Sequence, residues 1–281
     1  MTIHELIKLA IKKLPLGNNT SPALDGEVLL SSVLKKTKEY LAVNPKKKVD
    51  PKVEKKYLTL LNRRLLGWPV AYLIKEKEFF GHKFYVDKNV LIPRPETEGL
   101  VELVLSKLKT LPKSTILDIG TGSGNIIISI AAKAPRNTYL ASDISNKALT
   151  VAKKNAKQFK VKIKFRLGNL IEPFIDQDCD IIVANLPYLH RETDDSTKFE
   201  PKGALIAAKK GLALYEQLFR QIKKFELTPK YICLEIGRDQ GRLIKKLAKK
   251  ILPAYETKVY KDLFGRTRYV ILSQQVPLSR P

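Results

Sequence analysis

The segment "ILDIGTGSGNIIISIA", residues 116–131, decides the fold of this chain. Its apolar beginning is typical of a short buried strand, and the apolar run at its end is typical of a helix. Glycines 120, 122 and 124 occupy the connection, where residues without a Cβ let the backbone turn tightly and approach a ligand closely. The segment therefore predicts a strand, a glycine turn and a helix in direct succession.

Strands and helices continue to alternate after this segment. Apolar runs that predict strands, with helical patterns between them, are "TYLASDI" (138–144), "VKIKFRLGNL" (161–170), "CDIIVANLPY" (179–188) and "KYICLEIG" (230–237). Two further strands flank the turn "LFGR" (263–266) and predict an antiparallel pair at the sheet edge. The pattern indicates an α/β fold, a Rossmann-like seven-stranded sheet that is mostly parallel and covered by helices on both faces.

The first 72 residues have a purely helical pattern. Thr2 and Glu5 have the spacing of a capping box, and Ser21-Pro22 and Asp50-Pro51 each predict a helix start with proline as the first helical residue. Gly67 ends the third helix. We therefore predict a small helical domain over 1–72, a β-hairpin linker over 73–92 and a larger α/β domain over 93–281.

Composition narrows the class of protein. Hydrophobic residues make up 44% of the 281, enough for a buried core, and no apolar run reaches the roughly 18 residues of a membrane span. The first helical segment carries an early acid and lacks a signal peptide's cleavage site, so we expect a cytoplasmic protein. Cys179 and Cys233 have no metal-ligand spacing, and we expect two reduced core thiols and no metal.

The chain is strongly basic, with 52 lysines and arginines against 28 acids and a net charge of +24. Such an excess favours polyanionic partners, since each cation placed on a phosphate releases a condensed counterion. The lysines are spread over the whole chain, however, so a general compositional bias explains the charge equally well. The sequence leaves both interpretations open.

A cofactor site is indicated by the glycine turn together with Ser142-Asp143 at the end of the second strand. An acid at this separation from the glycines meets ribose hydroxyls in dinucleotide-binding folds. The G-x-G-x-G spacing differs from the dinucleotide fingerprint and lacks the lysine of a phosphate loop. A nucleoside-containing cofactor without a pyrophosphate is favoured. Asp118, the turn and Asp143 in this order resemble the class I methyltransferases, which bind S-adenosyl-L-methionine.

The fourth strand ends in Asn185-Leu186-Pro187-Tyr188, which contains no acid, base or thiol. Its rank predicts a place beside the first strand, where strand order reverses and ligands bind. An Asn side-chain oxygen and the carbonyl of Leu186 can accept both N–H bonds of a planar nitrogen and orient it, while an aromatic ring encloses it. The better-known form of such a tetrapeptide has proline at the position of Leu186. Pro187 keeps residue 186 extended, so the Leu186 carbonyl can act without that proline. Similar motifs belong to enzymes that methylate exocyclic adenine or cytosine amines or a glutamine amide.

Upstream sequence favours the glutamine amide. The stretch "GWPVAYLIKEKEFFGHKFYVDKNVLIPRPETEGLVE", residues 67–102, resembles the linker of the HemK/PrmC family, the protein-(glutamine-N5) methyltransferases of peptide chain release factors. The resemblance continues through "ILDIGTGSG", "SDIS", "ANLPY", "FEP", "GLALYEQL", "LEIGRDQG" and "KDLFGRTRYV". It implies methylation of the Gly-Gly-Gln glutamine of class I release factors, without metal, in modulation of translation termination. It further implies that the helical domain docks the release factor.

The resemblance also implies the site residues. Those for the cofactor are Asp118, Gly120, Thr121, Gly122, Ser123, Gly124, Asp143, Asn169, Leu170 and Asn185. Those for catalysis are Asn185, Leu186, Pro187 and Tyr188, and the same four bind the substrate together with Pro93, Arg94 and Thr97. The sequence leaves open whether Glu235, at the end of the fifth strand, is structural or lines the cofactor pocket.

Three departures from the family pattern keep two alternatives open. Leu186 replaces a proline, Asn169 replaces an acid, and Ala207 to Lys210 replace two glycines and an acid. Asn-Leu-Pro-Tyr also occurs in the ribosomal RNA adenine-N6 dimethyltransferases, which makes an RNA enzyme the first alternative. A catalytically inactive, cofactor-binding module of translation is the second. The basic surface fits an acidic partner as well as nucleic acid or the ribosome, and no membrane partner is expected.

Overall fold

The computed structural model describes residues 1–16, 21–188, 197–205 and 211–275. These residues form two compact units. One contains Met1–Glu76 with residues 197–199, and the other contains the described residues of 77–188 together with those from 200 onward. The departure at Ala207 to Lys210 lies outside the described residues.

The first unit is helical, as its pattern predicted. Its helices are α1 (Ile3–Lys13), α2 (Pro22–Leu34), α3 (Lys38–Val43), α4 (Pro51–Leu65) and α5 (Val70–Ile74). The predicted capping box is confirmed, because Thr2 and Glu5 each accept a hydrogen bond from the other's backbone N–H. Asp50 Oδ1 likewise caps α4 by accepting from Lys52 and Val53 at 2.8 and 3.4 Å. The short helices α3 and α5 were not predicted, since six and five residues are too few for a periodic pattern.

Close contact of α1 with α2 organises the core of this unit. Tyr57 of α4 is fully buried between them, and its hydroxyl donates to the Leu6 carbonyl at 3.1 Å. Gly26 of α2 faces Ala10 of α1 so closely that a Cβ on Gly26 would lie 2.6 Å from the Ala10 Cβ. Glycine is therefore required here by packing, although it is a poor helix former.

The second unit contains a hairpin and a larger sheet. Strands β1 (Glu76–Phe79) and β2 (His82–Tyr85) pair around the predicted turn at Gly81, where φ is +72°. The larger sheet contains β3 (Thr115–Ile119), β4 (Thr138–Asp143), β5 (Lys164–Leu167), β6 (Ile181–Ala184), β7 (Tyr231–Glu235), β8 (Tyr255–Lys261) and β9 (Thr267–Gln274). Its order is β5-β4-β3-β6-β7-β9-β8, in which β9 is antiparallel to both β7 and β8 and the other neighbours are parallel. The predicted seven strands, antiparallel edge pair and reversal between β3 and β6 are confirmed.

Helices accompany this sheet at the predicted places. They are α6 (Glu98–Leu108), α7 (Asn125–Lys133), α8 (Asn146–Gln158), α9 (Ala213–Lys224) and α10 (Gly241–Ile251). Two apolar clusters of buried residues form the core, one containing Leu117 and Leu234 and the other Ile116 and Cys233. Their side chains alternate along the strands, so the sheet is buried on both faces.

Cys179 and Cys233 are buried and free, as predicted, and burial raises the pKa of both thiols to about 12. Within the described ranges, no helix has the length and apolar character needed to cross a membrane. The same part of the chain contains no group of three or more His, Cys, Asp or Glu residues placed to hold a metal ion.

The α1–α2 contact generates a first prediction. We expect Gly26→Ala to destabilise the protein by up to about 2 kcal/mol, because overpacking a core costs about 1–3 kcal/mol and the gain in helix propensity offsets only about 1 kcal/mol of it. Urea unfolding followed by circular dichroism measures the change. Ser32→Ala, at an exposed position of the same helix, is the matched control and should be neutral or slightly stabilising. Stabilisation by Gly26→Ala would contradict the packing argument.

Candidate active site

A cavity of about 250 Å³ lies at the carboxyl ends of β3, β4 and β6. Parallel pairing brings these ends to one edge of the sheet. The cavity wall includes most of the residues expected from the sequence, namely Pro93, Arg94, Thr97, Gly120, Thr121, Gly122, Ser123, Asp143, Asn169, Leu170, Asn185, Leu186 and Pro187. Three expected residues, Asp118, Gly124 and Tyr188, are not part of this wall.

The glycine turn is held against the neighbouring strand. The N–H groups of Gly120 and Thr121 both donate to the Ser142 carbonyl, at 2.9 and 3.0 Å. Gly120 and Gly122 have φ of +69° and +55°, a region that disfavours residues with a Cβ. Gly124 also has positive φ, but a Cβ there would lie 2.7 Å from Ile128 Cδ1, so it serves the packing of α7 rather than the cavity.

Asp118 supports the turn from beneath. It is fully buried, and its Oδ2 accepts a hydrogen bond from the Thr121 hydroxyl at 2.7 Å. Its Oδ1 has no hydrogen-bond partner among the residues that the structure describes. Burial, together with the nearby charge of Asp143, raises the pKa of Asp118 to about 7. Its role is therefore to hold Thr121 and the turn, and it reaches the cavity only through them.

Asp143 faces the cavity from the end of β4. Its Oδ2 accepts from the Gly122 N–H at 2.9 Å and its Oδ1 accepts from the Ser145 N–H at 2.8 Å. Burial raises its pKa. Each carboxylate oxygen has a second lone pair, so this fixed carboxylate can still accept from two ligand hydroxyls.

The segment after β5 completes the same wall. Leu170 has φ of +51°, and its carbonyl accepts from the Ser142 hydroxyl at 2.7 Å. Asn169 donates its side-chain N–H to Glu172 Oε1 at 3.2 Å. The turn therefore presents Asn169 and Leu170 beside Asp143, the arrangement expected of residues that contact a nucleoside.

The tetrapeptide begins in the cavity and ends outside it. Asn185 Nδ2 donates to Thr97 Oγ1 at 3.2 Å, and the Leu186 carbonyl accepts from the Tyr215 hydroxyl at 3.3 Å. The Leu186 side chain is buried, and a Cβ on Gly120 would lie 3.2 Å from its Cδ2. The expectation that residue 186 contributes only its backbone is therefore incomplete, because its side chain packs against the glycine turn.

Tyr188, the last residue of the tetrapeptide, is not part of the cavity wall. Its hydroxyl donates to Glu235 Oε1 and accepts from Arg268 Nη1, both at 3.4 Å, and its carbonyl accepts from Gln240 Nε2 at 3.1 Å. These contacts hold the ring beside Glu235, so it does not enclose the cavity as expected. Burial and the Glu235 charge raise the pKa of Tyr188 to about 12.

Glu200, which holds Arg94, was not predicted from the sequence. The Glu200 carboxyl is buried, forms an ion pair with Arg94 at 2.5 Å and accepts from the Ile92 N–H at 3.0 Å. Further residues of the cavity wall that were not among the expected site residues include Asn89, Val90, Leu91, Ile144, Ser145, Gly168, Pro201, Gly203, Ala204 and Leu214. The "FEP" motif containing Glu200 was the only available signal, and it did not reveal the partner.

The raised pKa of Asp118 generates a second prediction. Between its ordinary value of 3.8 and about 7, the folded protein keeps a proton that the unfolded chain has lost. Stability contributed by this group therefore falls as pH rises through that window, by at most about 1.4 kcal/mol for each pH unit. We expect Asp118→Asn to flatten the decline in the free energy of unfolding between pH 5 and 7, measured by urea unfolding.

The control for removing one carboxylate is Asp239→Asn, because the Asp239 side chain is 91% exposed. This variant should keep the wild-type slope. An unchanged slope in Asp118→Asn would show that Asp118 is ionised in the folded protein throughout this range.

Comparison with known proteins agrees with the architecture. The family model of the PrmC N-terminal domain matches residues 5–74, and that of the methyltransferase small domain matches residues 99–213. Among solved structures, the hMettl16 catalytic domain in complex with MAT2A 3′UTR hairpin 1 has a TM-score of 0.57 at 15% identity, covering 83% of this chain and 84% of that one. A methyltransferase from Pyrococcus furiosus has a TM-score of 0.52 at 16% identity, covering 70% and 91%. These two likenesses show the class I methyltransferase fold alone.

Curated relatives define the family. The release factor glutamine methyltransferase of Enterococcus faecalis is 38% identical over 78% of this chain and 80% of its own length. The protein of the same name from Coxiella burnetii is 34% identical over 100% of this chain and 99% of its own length. With such identity over the full length of a relative, the chain belongs to the release factor glutamine methyltransferase family.

Proposed function

We propose that this protein transfers a methyl group from S-adenosyl-L-methionine to the side-chain amide N5 of the glutamine in the Gly-Gly-Gln motif of class I peptide chain release factors. The observation that carries the proposal is the position of Asn185 in the cavity wall. Its Nδ2 is bound to Thr97, which leaves its Oδ1 to accept an N–H from a substrate amide. The curated relatives named above support the choice of substrate.

The cavity fits S-adenosyl-L-methionine. Gly120 and Gly122 allow the cofactor to approach the backbone, and Asp143 offers two fixed oxygens to ribose hydroxyls. Asn169 and Leu170 line the same cavity as Asp143 and would contact the base. When bound, the cofactor supplies an electrophilic methyl group on its sulfonium.

The tetrapeptide suits a substrate nitrogen that is a weak nucleophile. Because the lone pair of an amide nitrogen is delocalised, its orientation toward the methyl group matters more than its deprotonation. Asn185 Oδ1 and the Leu186 carbonyl would each accept one of its two N–H bonds and hold it in a near-attack position. The Leu186 carbonyl keeps a lone pair for this purpose beside its bond to Tyr215. Methylation makes the remaining proton acidic, and this proton would then pass to water.

In this proposal the helical domain over residues 1–72 docks the release factor. Residues 73–92 form the linker, and residues 93–281 form the catalytic domain. The helical unit carries exposed apolar side chains that its own core does not use, among them Val43 and Leu66. Exposed lysines 46–48 lie in the same unit and suit an acidic partner. A protein surface with apolar and acidic groups fits this combination better than nucleic acid does.

Methylation of ribosomal RNA adenine is the second candidate function. Its support is the net charge of +24 and the planar-nitrogen chemistry of Asn185, which an exocyclic adenine amine would satisfy equally well. A third candidate, a cofactor-binding module without catalysis, rests on the departures at Leu186 and at residues 207–210.

A methyl-transfer assay separates the three candidates. We expect label from methyl-labelled S-adenosyl-L-methionine to appear on a class I release factor and to disappear when its Gly-Gly-Gln glutamine is changed to alanine. Purified ribosomal RNA, incubated separately, should remain unlabelled. Label on RNA alone would overturn the proposal in favour of the RNA enzyme, and label on neither would favour the binding module.

Two variants test whether different residues of the site act on the substrate and on the cofactor. We expect Asn185→Ala to abolish transfer while the dissociation constant for the cofactor changes by less than about threefold, because Asn185 acts on the substrate nitrogen. Asp143→Ala should instead weaken cofactor binding by about 10-fold or more, since a fixed charged acceptor is lost. Calorimetric titration and initial rates measure both effects. An active Asn185→Ala variant would refute the role given to this residue.

A further inference from the structure

Two neighbouring grooves lie at the edge of the larger sheet where β3, β4 and β5 begin. The first, of about 740 Å³, lies beside Thr138 at the start of β4 and Lys164 at the start of β5. The second, of about 720 Å³, lies beside Lys113, which precedes β3, and Asn137 lines both grooves. Because these three strands are parallel, this edge is opposite the one that carries the candidate active site.

The walls of both grooves are basic. Among the described residues that line them, none is an aspartate or a glutamate. The cations of the two walls are all exposed, and we call them together the basic face: Lys109, Lys113, Lys133, Arg136, Lys153, Lys157, Lys162 and Lys164.

The charge of the basic face is not neutralised by ion pairs. Throughout the described part of the chain, the ion pairs include none of its cations. Asp176 lies near enough to Lys164 to feel its charge, but it forms its ion pair with Arg166 at 2.8 Å. Lys153 and Lys157 are one turn apart in α8, where like charges repel and cost a helix stability. Such a cluster is typical of a surface that meets an anionic partner.

A general excess of lysine does not explain the basic face. Residues 103–171 contain thirteen lysines and arginines but only two acids, Asp118 and Asp143. Asp118 is fully buried and Asp143 lies in the wall of the active-site cavity, so neither lies at the edge with the basic face. Acids make up 28 of the 281 residues of the chain, and a stretch of this length would ordinarily carry several on its surface. The absence of acids is therefore local to this part of the sequence.

The lining of the grooves suits phosphate groups better than a protein partner. The centre of a protein–protein interface is rich in exposed apolar and aromatic side chains and poor in lysine. Within the described residues, none of the exposed large apolar side chains lines either groove. Cations spread along a groove match the regular phosphates of a nucleic acid, and each contact releases a condensed counterion.

The aromatic residues of the lining do not offer a surface for stacking. Tyr139 is only 5% exposed, and Phe165 packs against an apolar cluster of the core. Proteins that bind single strands combine a basic groove with aromatic rings on which bases stack. A double helix is instead bound through its phosphates and sugars, without stacking. The lining therefore favours a double helix.

We propose that the basic face binds the phosphate backbone of double-helical RNA. The choice of RNA over DNA rests on the proposed function, because a release factor acts on the ribosome, which is rich in RNA. The six residues of β4 separate the basic face from the cavity by roughly 17 Å, at about 3.3 Å for each residue. RNA on this face is not presented to Asn185, so the protein binds this RNA without methylating it.

Fluorescence anisotropy with a labelled RNA duplex of about 16 base pairs provides the first test. We expect the wild-type protein to bind it, with an affinity that falls at least about 10-fold between about 50 and 200 mM salt. The combined variant Lys113→Gln, Lys133→Gln, Lys157→Gln and Lys162→Gln should bind about 10- to 100-fold more weakly at about 150 mM salt. Its slope of log affinity against log salt should be smaller by about two to four, since up to four phosphate contacts are lost.

The matched control removes the same charge from another surface of the same unit. It changes the exposed Lys245, Lys246, Lys249 and Lys250 of α10 to glutamine, and this helix packs against α9, β8 and β9. Affinity for the RNA duplex should stay within about threefold of the wild type, because salt screens charges that lie more than about 8 Å from the phosphates. An equal loss in both variants would show that binding follows net charge alone and would overturn the inference.

A measurement on the unaltered protein does not depend on the folding of a variant. Acetylation of lysines by acetic anhydride, followed by mass spectrometry, should show Lys157 and Lys162 protected at least about threefold by the RNA duplex, since each lysine that binds a phosphate is withheld from the reagent. Lys245 and Lys249 should react as they do without RNA. Equal protection of both pairs would contradict binding at the basic face.

Competing ligands identify the partner. A DNA duplex of the same sequence should bind no more tightly than the RNA duplex, and poly-L-glutamate at equal charge should not displace the RNA. Absence of RNA binding, tighter binding of DNA, or displacement by poly-L-glutamate would each overturn the inference. If RNA binds the basic face but no release factor is methylated, the proposed function fails and the inference stands. If release factor is methylated but RNA does not bind, the reverse holds.

Discussion

In the α/β unit, β3 pairs in parallel with β4 on one side and with β6 on the other. Ile119 is therefore in register with Ser142 and with Ala184, and the residues that follow all three positions leave the sheet at one edge. The glycine turn, Asp143 and Asn185 meet because of this pairing. These three parts of the site are far apart in the chain, so their meeting depends on this pairing.

Burial raises the pKa of two carboxyl groups near the site, those of Asp118 and Glu235. Asp118 and Glu235 are almost fully buried, each has one carboxyl oxygen without a hydrogen bond among the described residues, and each has a pKa raised to about 7. Apolar burial disfavours the charged form, so such groups are sensitive to small changes around them. Asp118 accepts a hydrogen bond from the Thr121 hydroxyl, and Glu235 accepts one from the Tyr188 hydroxyl. The site thus combines a glycine turn with two buried carboxyl groups that favour the neutral form more than exposed carboxyl groups do.

The fold is shared with the hMettl16 catalytic domain, which was solved in complex with MAT2A 3′UTR hairpin 1. The role proposed for Asn185 applies to a planar nitrogen of RNA as well as to one of protein. Membership of the release factor glutamine methyltransferase family instead follows from sequence identity that extends through both units. The substrate is therefore indicated by the whole chain and not by the tetrapeptide alone.

Local patterns by themselves determined the helix caps at Thr2 and Asp50, the hairpin at Gly81 and the positions of the strands, because each depends on residues near one another in the chain. The parallel order was predicted from the alternation of strands with helices. They also predicted most of the cavity wall, since glycines and polar residues at the ends of predicted strands can be recognised in the sequence. Only the tertiary structure decided that Leu186 packs on Gly120, that Tyr188 turns to Glu235, and that Glu200 holds Arg94. These contacts join residues 47 to 106 positions apart, and no local pattern of hydrophobicity or turn chemistry encodes which distant partner a side chain meets.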